Sequence, residues 1–205
     1  MYLNTDSSSS SMALSSLITY NSTSNSVNIP QLYIDEVAFT SFNSDSDGSI
    51  LHASGSINVT ISNCVFTNNT SNNGGSIYFN NTISGAININ DCQFIDNMAK
   101  INGSAIYFDT NIFSVNIISS SFYNNTATKG GGALFFRRNT KNINILYTEF
   151  MFNQAIIQGG TNAGGGAIAF EKDYHKVIYI YNSTFISNYA KYGNTNTNTN
   201  TNILQ

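Results

Sequence analysis

The chain has 205 residues, 41% of them hydrophobic and only 9% charged, with a formal net charge of −3 at pH 7. This length and apolar fraction suit one domain with a packed core. Eight Lys and Arg in all are too few for the basic stripe that displaces counterions from phosphates, so nucleic acid is not an expected partner.

Residues 1–28 are serine-rich, show no repeat frame and are expected to form an irregular or capping segment. Met1 to Tyr20 lacks a basic region followed by an unbroken apolar stretch, so it does not read as a secretory signal. No apolar run approaches the roughly 18 residues of a membrane span. Ile29 to Tyr33 reads as a strand. Val37-Ala-Phe39, followed nine residues later by Gly48-Ser-Ile-Leu51, reads as one degenerate turn of a repeat that becomes regular downstream.

The regular part carries five copies of F-x-x-N: Phe66 to Asn69, Phe94 to Asn97, Phe122 to Asn125, Phe150 to Asn153 and Phe185 to Asn188. Successive Phe positions differ by 28, 28, 28 and 35. A second motif follows each of the first four copies: Gly74-Gly-Ser-Ile77, Gly103-Ser-Ala-Ile106, Gly131-Gly-Ala-Leu134 and Gly165-Gly-Ala-Ile168. Before each F-x-x-N lies an alternating apolar run, such as Ile57-Val59-Ile61, Ile87-Ile89, Val115-Ile117 and Ile143-Ile145. Period-two alternation of β-branched residues is a strand signal.

A unit this short cannot bury its own apolar face, so units stack and share one core. The spacing predicts an all-β chain: a right-handed parallel β-helix over 29–190, of about five to six turns of 28 residues. Each turn is expected to hold three short strands. Leucine-rich frames are absent, propeller blades need about 40 residues or more, and helical repeats need a 3.6-residue apolar period. The single 35-residue step comes from an insertion at Ile156 to Gly164, confined to one loop. Solenoids often bind ligands through such loops. Residues 191–205 hold a Thr-Asn tract with little to bury and are expected to be disordered.

Stacking turns equal repeat positions into columns. Cys64, Cys92, Ser120, Thr148 and Ser183 form one, each two residues before a motif Phe. The two cysteines then lie about one strand spacing apart. A disulfide and a pair of stacked thiols are both open, though side-by-side parallel strands disfavour the disulfide torsion. The motif Phe residues are expected to stack inside. The motif Asn residues are expected at turns, where Asn tolerates the left-handed conformation and stacked amides bond along the ladder. Asp109, Arg137 and Glu171 are expected to form an external charge ladder.

No catalytic, cofactor-binding or metal-ligating set is assigned. The acids are scattered, and Asp91 and Asp96 merely flank the Phe94 segment. His52 and His175 fall in different turns without an ordered partner. Asp45-Ser-Asp47-Gly48 resembles a piece of a calcium loop whose other ligands are missing. Gly164-Gly-Gly166 lacks the strand–helix setting of a phosphate loop. Eight N-x-S/T sequons are about what an Asn-rich composition yields and argue nothing about secretion.

The F-x-x-N and G-G-A-[ILV] motifs, in register over residues 37–190, resemble the passenger repeats of chlamydial polymorphic outer-membrane proteins. Similar repeats occur in large surface proteins of protists. The resemblance implies a pectin-lyase-like right-handed β-helix at the cell surface or outside the cell, acting in adhesion. Its expected partner is a protein or glycan of a host or neighbouring cell. The chain departs from those proteins in showing neither an autotransporter barrel nor a signal peptide, and it is expected to be part of a longer β-helix. The competing expectation is a polysaccharide lyase or hydrolase, which rests on fold analogy alone.

Overall fold

The computed structural model describes residues 16–21, 29–81, 85–156, 164–171 and 177–191. Among them every regular element is a β-strand, and every ladder is parallel. The chain is a parallel β-solenoid with four sheets along its sides.

The first sheet holds the five-residue strands. Asn58–Ser62, Ala86–Asn90, Ser114–Ile118 and Asn142–Leu146 stack between Gln31–Asp35 and Val177–Tyr181. Their β-branched residues point inward at every second position, so Val59, Ile61, Ile87, Ile89, Val115, Ile117, Ile143 and Ile145 are fully buried. The second sheet is built on the motif phenylalanines, from Ala38–Thr40 through Val65–Thr67, Gln93–Ile95, Ser121–Tyr123 and Glu149–Met151 to Thr184–Ile186. The fourth sheet follows the glycines: Ile18–Asn21, Leu51–Ser54, Ile77–Asn80, Ile106–Phe108, Leu134–Phe136 and Ile168–Phe170.

Between these lies a third sheet that the spacing does not announce. Its strands have two residues each: Thr70–Ser71, Met98–Ala99, Thr126–Ala127, Gln154–Ala155 and Tyr189–Ala190. A turn therefore has four strands, not three. Four complete turns start at Asn58, Ala86, Ser114 and Asn142, and a partial turn flanks them at each end, against the five to six expected. The segment read as irregular or capping contributes Ile18–Asn21, which pairs with Leu51–Ser54. The 28-residue register is strict where it was read, aligning Phe66, Phe94 and Phe122. It survives the insertion, because Phe150 still pairs with Phe185.

The corners have specific dihedrals. The residue after each five-residue strand lies in the left-handed region: Glu36, Asn63, Asp91, Ser119, Tyr147 and Asn182, with φ between 47° and 55°. So does the third letter of each F-x-x-N: Asn68, Asp96, Asn124, Phe152 and Ser187. The motif Asn itself is not left-handed, which corrects the expectation above. Asn, Asp and Ser suit these corners, whereas Tyr147 and Phe152 carry a backbone strain that the surrounding ladders hold in place.

Two aromatic stacks run through the core. Phe39, Phe66, Phe94, Phe122, Phe150 and Phe185 stack with centroids 4.6–5.1 Å apart. Phe79, Phe108, Phe136 and Phe170 form the second, at 4.5–5.6 Å. Burying each of the fully enclosed rings, Phe66 to Phe150 in the first stack and Phe79 to Phe136 in the second, contributes roughly 1.5–3 kcal/mol, with offset stacking adding to it. A third stack lies on the outer side of the fourth sheet, where Tyr78, Tyr107 and Phe135 are nevertheless buried. The glycine corners cover it. Gly103 and Gly131 have φ of 60° and 63°, and a Cβ on either would sit 3.0 Å from Phe135 Cβ. The G-G-A-I motif thus sets a corner that needs both a positive φ and a close approach.

Candidate functional site

The columns are the places where polar chemistry recurs, and most of it is directed into the scaffold. The motif Asn residues Asn69, Asn97, Asn125, Asn153 and Asn188 form a buried amide ladder. Asn125 Nδ2 donates to Phe94 O at 2.9 Å and to Asn153 Oδ1 at 2.9 Å. Its Oδ1 accepts from the backbone N–H of Asn97 at 3.0 Å and from Asn97 Nδ2 at 2.9 Å. Asn97, Asn153 and Asn188 likewise donate to the carbonyls of Phe66, Phe122 and Phe150. Every amide therefore reaches back to the preceding turn, donating to the carbonyl of its core Phe and accepting from the N–H three residues after that Phe. At the N-terminal end Phe42 occupies the Asn position, and its N–H donates to Asn69 Oδ1.

The small-residue column works the same way. Cys64, Cys92, Ser120, Thr148 and Ser183 each donate to the carbonyl two residues earlier, at 2.9–3.1 Å. The backbone N–H groups of Cys92, Ser120 and Thr148 donate to the hydroxyls of Ser120, Thr148 and Ser183. Cys64 and Cys92 are free, buried thiols, not a disulfide. Burial pushes the Cys92 thiol up to about 12 and raises Cys64 as well, so neither is a poised nucleophile.

The charge ladder is present on the outer side of the fourth sheet. Arg137 Nη1 lies 2.9 Å from Asp109 Oδ1, and its Nε lies 3.3 Å from Glu171 Oε2. Two features were not legible in the sequence. Asp109 is nearly buried, and Tyr78 Oη donates to its Oδ2 at 2.7 Å. Burial, then Asp109, raises the Tyr78 hydroxyl well above the ordinary tyrosine range. Burial also raises Tyr107, and the Asp109 hydrogen bond raises Arg137. Asp109 and Glu171 flank one guanidinium, and the Tyr78 hydroxyl bonded to Asp109 holds its proton. The arrangement neutralises charge and leaves no acid–base pair with separated roles.

The remaining candidates resolve into local contacts. Asp47 Oδ1 accepts from Asn73 N and Asn73 Nδ2, both at 3.0 Å, while Asp45 pairs with Lys100 at 2.8 Å. The calcium-like fragment thus spends its carboxylates on different partners. Asp91 and Asp96 sit at opposite corners of Gln93–Ile95, and Asp96 accepts from Asn124. The His52 ring lies tilted against Tyr78 with centroids 4.8 Å apart, and Lys141 lies 4.9 Å above the Phe113 ring. His175 and most of the insertion, 157–163, lie outside the described residues. Among the described residues no group of three or more His, Cys, Asp or Glu could hold a metal ion. No helix among them is long and apolar enough to cross a membrane.

What remains free to meet a ligand is the outer surface. On the first sheet Asn88, Asn116 and Asn144 form a second amide ladder, with Nδ2 to Oδ1 distances of 2.8 Å. It is half-buried, and its column continues through Thr60 to Tyr33, 67% exposed, at one end and to Tyr179, 42% exposed, at the other. Toward the C-terminus the flanks become apolar: Tyr147, Tyr181, Tyr123, Phe152, Ile186 and Tyr189 are all exposed. Tyr123 meets Phe152, and Tyr147 meets Tyr181, each edge-on. The N-terminal flanks carry Asp35, Glu36 and Asn63 at the same corners.

The comparisons with known proteins fall on this repeat. The family model of the Chlamydia polymorphic membrane protein (Pmp) repeat matches residues 63–80 and 119–137. Each match starts at a left-handed corner and spans a motif Phe, its ladder Asn and a glycine corner. No curated protein and no solved structure matches the chain. Repeat, register and solenoid agree: the chain is a parallel β-solenoid whose repeat is similar to the Pmp repeat.

Proposed function

We propose that the chain is a non-catalytic module of a cell-surface or secreted protein, used for adhesion or as a rigid spacer. The observation that carries this reading is where the polar groups go. The ladder amides, the column hydroxyls and the buried carboxylate all bond to neighbouring turns, which leaves the sides as continuous, mostly uncharged faces. The match to a repeat described from a membrane protein supports a surface setting. Such faces suit broad, shallow contacts with a protein or a glycan of another cell, where exposed aromatic rings and amides supply contact area and hydrogen bonds.

The test is binding of the purified chain to cell monolayers and to immobilised glycans. One variant replaces Tyr147 and Tyr181 by Ser, a second replaces Asn116 and Asn144 by Ala, and a third shortens the 156–164 loop. At least one folded variant is expected to lose most of the binding. Full binding by all three sinks adhesion by these faces and leaves the spacer role. Turnover of a polysaccharide that ends when Asp109 or Glu171 is replaced would overturn the non-catalytic reading.

A further inference from the structure

The two ends of the solenoid are unlike, and the difference lies in the ladders. At the N-terminal end both polar columns stop. Val37 stands where later turns place Cys, Ser or Thr, and Phe42 stands where they place Asn. At the C-terminal end both columns continue to the last described turn. Ser183 and Asn188 are nearly buried there, and among the described residues their backbone N–H groups meet no acceptor. In earlier turns the N–H groups of Cys92, Ser120 and Thr148 donate to a hydroxyl of the following turn, and those of Asn69, Asn97, Asn125 and Asn153 donate to an Asn Oδ1 of the following turn. The apolar column is cut in the same way. Ile178 is 44% exposed, whereas Ile143, its partner in the preceding turn, is fully buried.

We propose that this C-terminal rim, Val177–Tyr181 with Thr184–Ile186 and Tyr189–Ala190, is a strand-addition site for an F-x-x-N turn of another polypeptide. The existing turns specify the occupant atom by atom. Its Asn Oδ1 accepts the Asn188 N–H, as Asn188 Oδ1 accepts that of Asn153. Its Asn Nδ2 donates to the Phe185 carbonyl, as Asn188 Nδ2 donates to Phe150 O. A Ser or Thr hydroxyl two residues before its Phe accepts the Ser183 N–H, and its ring continues the stack on Phe185. Backbone pairing supplies affinity, and these side chains supply selectivity.

The same geometry argues against head-to-tail association of identical chains. A second copy would bring its own first turn, in which Val37 and Phe42 offer neither the hydroxyl nor the amide. The partner is therefore a repeat protein whose own leading turn carries the full motif.

The probe is a labelled 15-residue peptide with the sequence of residues 177–191, titrated against the full chain. Saturable binding is expected, weakened about tenfold or more when the peptide carries Asn188→Leu or Ser183→Val, since each leaves a buried N–H without an acceptor. Ile178→Lys in the chain is expected to abolish binding while the unfolding temperature stays within a few degrees of the parent. A photoreactive phenylalanine at position 185 of the peptide is expected to cross-link to residues 184–186, which keeps the test decisive should Ile178→Lys misfold. Equal binding by a scrambled peptide, or cross-links on the lateral faces, overturns the proposal. So does binding that appears only after residues 192–205 are removed, which would make the chain's own tail the occupant. Self-association of the free chain that Ile178→Lys abolishes would assign the rim to a second copy and overturn it equally. None of these outcomes bears on cell or glycan adhesion by the lateral faces.

Discussion

Two amide ladders run up this solenoid, and they look alike in sequence. Asn97, Asn125 and Asn153 repeat every 28 residues, and so do Asn88, Asn116 and Asn144. In both, the side-chain amides bond one turn to the next at 2.8–2.9 Å. The difference is what else they hold. The inner amides also bond a Phe carbonyl and a backbone N–H, both cut off from water, whereas the outer amides bond only each other at a half-solvated surface. A period alone does not distinguish scaffold from surface. The stranded backbone groups do, because an unsatisfied buried donor or acceptor is far more costly than an exposed one.

The comparison breaks most visibly in the inner ladder. Asn125→Ala strands the Asn97 N–H and the Phe94 carbonyl inside the core, and we expect a loss of about 3–5 kcal/mol. At roughly 2–4 °C per kcal/mol this is about a 10 °C fall in melting temperature, readable by circular dichroism. A loss below about 1 kcal/mol would mean that water reaches the ladder.

The next largest effect is on the buried carboxylate. Asp109→Ala frees the Tyr78 hydroxyl and leaves Arg137 with Glu171 alone, at a cost of about 1–2 kcal/mol, since Arg137 is partly exposed and screened. The Tyr78 hydroxyl should then titrate at lower pH, visible by ultraviolet difference absorbance. An unchanged tyrosine titration would show that Asp109 is not what holds that proton.

The thiol column gives a pH signature. Burial lifts Cys92 from an ordinary 9.0 to about 12, and it lifts Cys64 in the same direction. The folded chain thus holds these protons more tightly than the unfolded chain. Their contribution is fully present below about pH 9 and is lost as the pH rises from there toward 12. Melting temperature should be flat up to about pH 8.5 and fall above it. Replacing both cysteines by Ser, as Ser120 already stands in that column, should delay the fall until the tyrosines, ordinarily at 10.0, contribute theirs. An identical pH profile for the double variant would contradict this assignment.

The smallest effect belongs to the outer ladder. Asn116→Ala should change stability by no more than about 0.5 kcal/mol. An effect equal to that of Asn125→Ala would erase the distinction between the ladders.

Much of this fold was legible because the inner positions repeat in strict register. The Phe and Asn columns, the small-residue column and the one displaced loop all follow from spacing. The third sheet was not legible, because two residues are too few to show alternation. Its inward residues, Ala99, Ala127 and Ala155, are also too small to announce a core. The outer Tyr78–Tyr107–Phe135 stack hid behind the assumption that one side of each strand is wet. Its signal was the unbroken apolar run, as in Ile106-Tyr107-Phe108, which marks a strand covered on both sides. The left-handed third letter of F-x-x-N was invisible in Phe152, which bulk argues against, though Asn68, Asp96 and Asn124 at the same column point to it. The charge ladder was readable as a ladder, but the Tyr78 bond that makes Asp109 structural depends on burial that no spacing reveals. Strand Ile18–Asn21 fell outside the register, since it precedes its partner by 33 residues.

Amide hydrogen exchange, resolved by residue, tests the central claim most directly. The backbone N–H groups of Asn69, Asn97, Asn125 and Asn153 lie at corners outside the strands, yet each donates to a buried Oδ1 of the next turn. They should exchange as slowly as the strand amides of Val115 and Ile117, and Asn125→Ala should release Asn97 selectively. Exchange of these four at the rate of open-loop amides would contradict the account.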